Sequence, residues 1–431
     1  MRNAAKLTVI AILIIAAAPS FADLQNVVVG GSIRLRGNYF AYDKLADTHI
    51  NSNASVEQRT RLNVRADFTD SVSAFIEFDD YETWGGGDAA SDFRSNYLTG
   101  IDNRAATGDD VEVYQAYIDA KELWGTGLNA RIGRQELKFG SGWLVGNNDA
   151  APYFKGLSFD AALLSYATDQ FSVAAVGGKL QENSPLQEDG DISLYGVYGS
   201  YLGIENVTLD AYWLFIRNAA DFQGSLDAHA FGLRGAGTIG AFDFEAEGAY
   251  EYLRWDGSNA VLANGDDNSD AFAGNLVLGY TFDAGYTPRV YVGAAYFGGD
   301  DEDLAFNRLF SDWKYSLILD TEANLSNIWL VHGGVSVNPT ETLKLTASAG
   351  YIQTIEERAI SAWKNSDKPL GLEVGIRADY SYSKDLTFAA GYSHLFTFDG
   401  LKDGNFVPNN GNALAFADDV NYVFAEAKLS F

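Results

Sequence analysis

Residues 241–254 read Ala241-Phe242-Asp243-Phe244-Glu245-Ala246-Glu247-Gly248-Ala249-Tyr250-Glu251-Tyr252-Leu253-Arg254. Phe242, Phe244, Ala246, Gly248 and Tyr250 alternate with Asp243, Glu245, Glu247 and Glu251. Successive side chains of a strand point to opposite faces, so this segment carries one apolar and one acidic face. The same period of two recurs along the chain. Ile33, Leu35 and Tyr39 alternate with Arg34, Arg36 and Asn38, and Leu62, Val64, Ala66 and Phe68 with Arg61, Asn63, Arg65 and Asp67. Leu372, Val374, Ile376 and Ala378 alternate with Glu373, Gly375, Arg377 and Asp379.

Extended over the whole chain, the pattern predicts strands at 27–41, 57–69, 71–82, 110–122, 127–139, 156–167, 169–180, 191–202, 206–217, 227–238, 241–254, 271–283, 287–298, 325–337, 341–354, 369–382, 385–398 and 419–431. These are about eighteen segments, each long enough to cross a bilayer when tilted, with sixteen left open as the alternative. Tight turns with suitable chemistry join alternate pairs: Thr69-Asp70-Ser71, Ala167-Thr168-Asp169, Gly203-Ile204-Glu205, Gly240-Ala241, Asn338-Pro339-Thr340 and Ser383-Lys384-Asp385. Longer links fall between them at 42–56, 83–109, 140–155, 255–270, 299–324, 355–368 and 399–418. In a meander, this alternation gathers the turns at one rim, with both chain ends, and the loops at the other. Tyr39, Tyr81, Trp84, Trp124, Tyr252, Trp255 and Tyr280 cluster near strand ends, and the chain stops on Phe431. Aromatic girdles at the membrane interfaces have this form. The expected fold is therefore all-β: a transmembrane antiparallel β-barrel, up-and-down, with short periplasmic turns and long extracellular loops. A secreted β-sandwich, propeller or β-helix would also bury one face per sheet. The hairpin alternation and the terminal Phe argue against them, as does the lack of a fixed repeat.

Composition narrows the function. Acidic residues outnumber basic ones 58 to 30, for a net charge of −28, which excludes a phosphate-neutralising nucleic-acid binder. The chain has no cysteine, so disulfide scaffolds and thiolate metal sites are excluded. Arg2 and Lys6 precede an apolar run from Leu7 to Ala18, followed by Pro19-Ser20-Phe21-Ala22. That sequence reads as a secretory signal peptide over 1–22, cleaved after Ala22, ahead of one barrel over 23–431.

With the apolar faces turned to lipid, the polar faces line a lumen. Arg34, Arg36, Arg59, Arg61 and Arg65 then form a ladder on two adjacent strands, and Arg131 and, after a bulge at Gly133, Arg134 and Lys138 extend it onto the fifth. Lys344, Arg377 and Lys428 lie on late strands, and Glu77, Asp79, Asp119 and Asp160 are interleaved with the cations. Glu245, Glu247 and Glu251 form an acidic stripe about half a circumference away. Two readings follow. Arginines and carboxylates pair to rigidify a wide wall, or the basic wall draws anions through a low-dielectric constriction. The segment 140–155 is expected to bend into the pore, because Gly140, Gly142 and Gly146 permit sharp turns and Trp143 and Leu144 need burial. The acidic runs Asp266–Asp270 and Asp300–Asp303 read as solvated loops without EF-hand spacing.

Around the fifth strand the chain reads Gly133-Arg134-Gln135-Glu136-Leu137-Lys138-Phe139-Gly140, then Leu144-Val145-Gly146-Asn147-Asn148-Asp149. Gln115-Ala116-Tyr117-Ile118 precedes these pieces and Phe159-Asp160 follows. The set resembles the alginate-export porin family over roughly residues 55–165. Asn148 and Ala150 stand where that family usually has an arginine and an aromatic. The resemblance implies an outer-membrane barrel with a basic lumen for a polyuronate chain. The leading function is thus passive passage of an anionic oligo- or polysaccharide along Arg34, Arg36, Arg59, Arg61, Arg65, Arg131 and Arg134, with no cofactor. Its partners are outer-membrane lipid, lipopolysaccharide and the anionic solute. A general diffusion porin is the alternative. An outer-membrane enzyme is disfavoured, because His49, His229, His332 and His394 are scattered and none has a recognisable Ser or Asp constellation. An adhesin role would rest on the long loops 83–109 and 299–324.

Overall fold

A computed structural model describes residues 25–43, 50–84, 94–96, 100–102, 111–149, 153–182, 190–219, 224–257, 267–298, 305–320, 325–357, 359–361, 364–365, 367–402 and 418–431. The expected signal peptide over 1–22 lies outside these residues, as does most of the 83–109 segment. The principal strands are β1 (Asn26–Asp43), β2 (Ile50–Thr69), β3 (Val72–Thr83), β4 (Glu112–Leu123), β5 (Leu128–Gln135), β6 (Phe159–Ala167), β7 (Phe171–Gln181), β8 (Ile192–Ile204) and β9 (Val207–Asn218). They continue as β10 (Gly224–Ile239), β11 (Phe242–Gly257), β12 (Asn268–Thr281), β13 (Arg289–Phe297), β14 (Ile328–Thr340), β15 (Leu343–Thr354), β16 (Pro369–Ser381), β17 (Leu386–Thr397) and β18 (Val420–Ser430). Each pairs antiparallel with its sequence neighbours, and β18 returns to β1 with Arg34 opposite Lys428 and Arg36 opposite Glu426. The 18-stranded sheet is closed, so it has no edge to protect.

The outer face follows from the alternation. Ile118, Ile132, Leu233, Phe272, Val292 and Ile376 are between 54% and 69% exposed, and they belong to one continuous apolar band. Apolar surface on this scale is stable only against lipid. Among the described residues no helix is long and apolar enough to cross a membrane. Tight turns gather at one rim as expected. Gly240 sits at φ +62° in the turn from β10 to β11, the backbone region that glycine tolerates best.

Several boundaries differ from the sequence reading. β2 starts at Ile50, because the polar run 50–56 continues the β1–β2 ladder through Asp43 opposite Ile50. Outside the lipid band hydrogen bonding alone sustains a strand, and no apolar face is required. The turn after β8 is Glu205-Asn206, with Asn206 at φ +58°, one position later than read. Asn338-Pro339 falls in an irregular stretch of β14 between Val337 and Thr340, where a residue without an N–H is tolerated. β5 stops at Gln135 and does not reach Phe139, and β6 starts at Phe159.

The largest difference lies inside the barrel. The lumen half nearer the long loops is packed with apolar side chains over much of its wall: Leu194, Leu214, Leu253, Phe297, Leu330 and Ile352 all point inward and are buried. Two inward loops cover them, one described at 136–149 and 153–158 between β5 and β6 and one at 305–320 between β13 and β14, bringing Trp143, Leu144, Phe306 and Phe310 into the same cluster. The expected inward bend of 140–155 is present in its described part, and 305–320 bends inward beside it.

Candidate functional site: the lumen wall and its two inward loops

The loops are joined to each other first. Val145 bridges Phe310, with Gly146 N–H donating to Phe310 O at 2.9 Å and Phe310 N–H to Leu144 O at 2.8 Å. Asp312 N–H donates to Gly142 O at 2.7 Å, Trp143 Nε1 to the Tyr315 hydroxyl at 2.9 Å, and the Tyr153 hydroxyl to Ser311 O at 3.0 Å. Lys138, at the root of the first loop, pairs with Asp312 of the second at 3.0 Å. Together they form one structured partition in the lumen. A fully buried pair, Arg308 with Asp320 at 2.8 Å, stiffens the second loop from within.

The two loops are held by wall groups of opposite charge. On the basic wall, Arg36 donates to Tyr153 O at 3.3 Å, Arg59 to Phe154 O at 2.7 Å and Arg61 to Lys155 O at 2.9 Å. The Arg34 and Arg36 guanidinium groups each stand 4.9 Å from the Phe154 ring. The second loop is held by carboxylates: Glu251 of β11 accepts Asn307 N–H at 2.6 Å, while Glu373 of β16 accepts Leu317 N–H at 3.1 Å and the Ser316 hydroxyl. Backbone groups taken out of water must find partners, and the lumen charges supply them.

The sequence motif around Gly133 is the fastening of the first loop. Gly133 has φ +130°, and a Cβ there would lie 2.2 Å from Ala116 O. Gln135 is fully buried and donates to Ala161 O at 2.8 Å. Glu136 accepts the Tyr114 hydroxyl at 2.8 Å and Asn147 Nδ2 at 2.8 Å, tying the start of the loop to its far end. The bulge inferred at Gly133 is on the neighbouring strand. Between β3 and β4, Glu77 opposes Gln115 and Phe78 opposes Val113, so Tyr114 is the extra residue. Tyr114 and Gln115 therefore both face the lumen, and Tyr114 carries the Arg61 guanidinium 3.7 Å above its ring.

That displacement divides the seven predicted arginines. Arg34, Arg36, Arg59 and Arg61 converge beside the first loop and are 1% to 7% exposed. Arg34 and Arg36 share Glu426 at 2.9 and 2.6 Å, and Arg61 pairs with Asp79 at 2.9 Å. Nearer the tight-turn rim the lumen is wetter. There Arg65 contacts Asp67 at 3.0 Å and Arg131 contacts Asp119 at 2.7 Å, each with its side chain 35% exposed. Arg134 does not join them. With β4–β5 in continuous register it opposes Ala116, on the face that carries Ile118 and Ile132, and pairs with Asp160 at 2.8 Å. Asp160 is thereby also outside the lumen. Arg134→Gln is expected to leave ion selectivity in planar bilayers at the wild-type value, whereas any lumen arginine replaced alike shifts it. The acidic stripe is also engaged: Glu245 pairs with Arg234 at 2.8 Å, and Glu247 accepts the Tyr212 hydroxyl at 2.8 Å.

One carboxylate on the basic wall does not belong to the wall. Asp149, near the end of the described part of the first loop, accepts from Arg59 Nη1 at 2.5 Å and Arg61 Nη1 at 3.1 Å. Burial alone would raise its pKa, but Arg59 and Arg61 outweigh that and hold it at about 2. The ion pair's contribution is therefore complete above the ordinary carboxylate range and is lost only as pH falls through about 2.

A closed barrel with a lipid-facing band and a charged, loop-partitioned lumen defines a porin-like channel of the Gram-negative outer membrane. The chain belongs to the alginate export family, whose model matches residues 25–414. No curated protein matches it by sequence. Among solved structures it is similar to Pseudomonas aeruginosa OccK8 (OprE), with 15% identity, 95% of this chain and 100% of that chain covered, and a TM-score of 0.56. Acinetobacter baumannii OccAB2 shares 14% identity over 96% of this chain and 99% of its own, with a TM-score of 0.58. Pseudomonas aeruginosa OpdQ shares 15% over 94% and 98%, with a TM-score of 0.57. These likenesses concern the fold.

Proposed function

We propose that this channel passes anionic solutes, with alginate-like acidic oligo- or polysaccharides foremost, along the wall carrying Arg34, Arg36, Arg59, Arg61, Arg65 and Arg131. The observation that carries the reading is Asp149: a carboxylate borne on a separate segment is held by two adjacent guanidinium groups of this wall. A uronate residue offers the same group. Charge-assisted contacts of this kind are among the stronger hydrogen bonds, and a row of them lets a chain exchange one for the next. The alginate export family match supports a polysaccharide substrate.

Liposomes containing the protein provide the test. Uronate oligomers are expected to leave faster than neutral oligosaccharides of equal length, with the gap widening at low salt as screening weakens. Equal rates favour the second reading, a general diffusion porin. That alternative draws on the wall's own neutralisation by Asp79, Asp119 and Glu426.

A further inference from the structure

Asp149 occupies the place that a solute carboxylate would take. Its Oδ1 lies within hydrogen-bond distance of both Arg59 and Arg61, and its side chain retains 25% exposure. The other hydrogen bonds of Arg59 and Arg61 to the loop go to backbone carbonyls, at Phe154 and Lys155, and the Glu136 carboxylate stands farther off, 3.7 Å from Arg61 Nη1. The Asp149 contact is thus the side-chain hydrogen bond in this set, shared by both arginines, and a soluble carboxylate reproduces it atom for atom. It sits at the aqueous margin of the loop, whereas the two arginines are 1% and 4% exposed.

We infer that Asp149 is a built-in competitor for the solute site, which sets how many carboxylates a solute must carry to engage the arginine wall; this rests on the anion-passage reading above. A tethered group acts at an effective concentration on the order of millimolar, without the entropy loss of a free ligand. A single free carboxylate must displace Asp149 from two guanidinium groups and gains only an equivalent contact. A chain with several carboxylates engages the half-exposed Arg65 and Arg131 at the same time and offsets the exchange through several weak contacts. Asp149 thereby filters against small monocarboxylates while admitting polyanionic chains. Acidification within the ordinary range does not release it, because both arginines favour the charged form. Displacement by another anion does.

The test is block of chloride current through the full-length protein in planar bilayers, with glucuronate and a uronate hexamer as probes. In wild type the hexamer is expected to block at far lower concentration than the monomer. In Asp149→Asn, the monomer's half-blocking concentration is expected to fall about tenfold, and the hexamer's by no more than the same factor from its far lower starting value. Asp149→Ala, which cannot accept the arginine hydrogen bonds at all, should behave alike, and Asp160→Asn on the outer face should match wild type. If the hexamer blocks wild type while neither Asp149 variant changes the monomer's effect, the competitor role is overturned and anion passage stands. If the hexamer does not block wild type at all, the acidic-oligosaccharide reading fails and the inference falls with it.

Discussion

Replacing Arg59 and Arg61 together with Gln is expected to lower anion preference and raise conductance in the same channel. The two effects have one origin. Arg59 holds Asp149 at 2.5 Å and Phe154 O at 2.7 Å, and Arg61 holds Asp149 at 3.1 Å and Lys155 O at 2.9 Å. Glutamine retains polarity but is shorter, so these loop contacts are lost together with two positive charges. The loop's exit is then fastened mainly by Arg36 at Tyr153 and by Glu136 at Asn147. The substitution also leaves Asp79, which is 1% exposed, without its Arg61 partner, and an unpaired buried charge costs about 3–5 kcal/mol. Adding Asp79→Asn removes that penalty. The triple variant should insert normally, show its heat-dependent gel shift, and still have lost anion preference at low salt. An inserted channel with unchanged selectivity would make the wall purely structural.

Deleting Ser141 to Asn148 is expected to raise conductance several-fold. That stretch carries Trp143, Leu144 and Val145, each at most 3% exposed, and the bridge to Phe310. Its removal opens the lumen between the basic wall and the second loop. The rise should stop short of an empty barrel, because loop 305–320 keeps its own attachments through Glu251 and Glu373 and its internal Arg308–Asp320 pair. Single-channel recording decides the point. Wild-type conductance from a deletion variant that still shows the folded barrel's gel shift would mean that the loop does not obstruct the lumen.

The alternation of residues such as Phe242, Glu245 and Glu247 made the barrel legible, because lipid imposes a strict period of two wherever it touches a strand. The same logic fails where lipid is absent. The polar run 50–56 reads as a loop yet pairs as strand. Leu194 and Leu253 face inward because the lumen there is filled by protein, a departure that local periodicity does not reveal. Arg134 falls on the outer face because the extra residue lies at Tyr114, and nothing in the local sequence marks that position. The inward course of 305–320 did leave a signal in Phe306, Phe310, Trp313 and Tyr315. So many large apolar groups in a nominal surface loop require burial, as Trp143 and Leu144 did in the first loop. The pairing of Asp149 with Arg59 and Arg61 spans 90 and 88 positions, and no local pattern encodes it.

The central claim is that a basic wall governs passage through a protein whose net charge is −28. The zero-current potential of the wild-type channel in a low-salt KCl gradient tests it most directly. The expected sign is that of an anion-preferring pore, with a magnitude that falls as salt rises; a cation-preferring or unselective pore at low salt would contradict a basic wall governing passage.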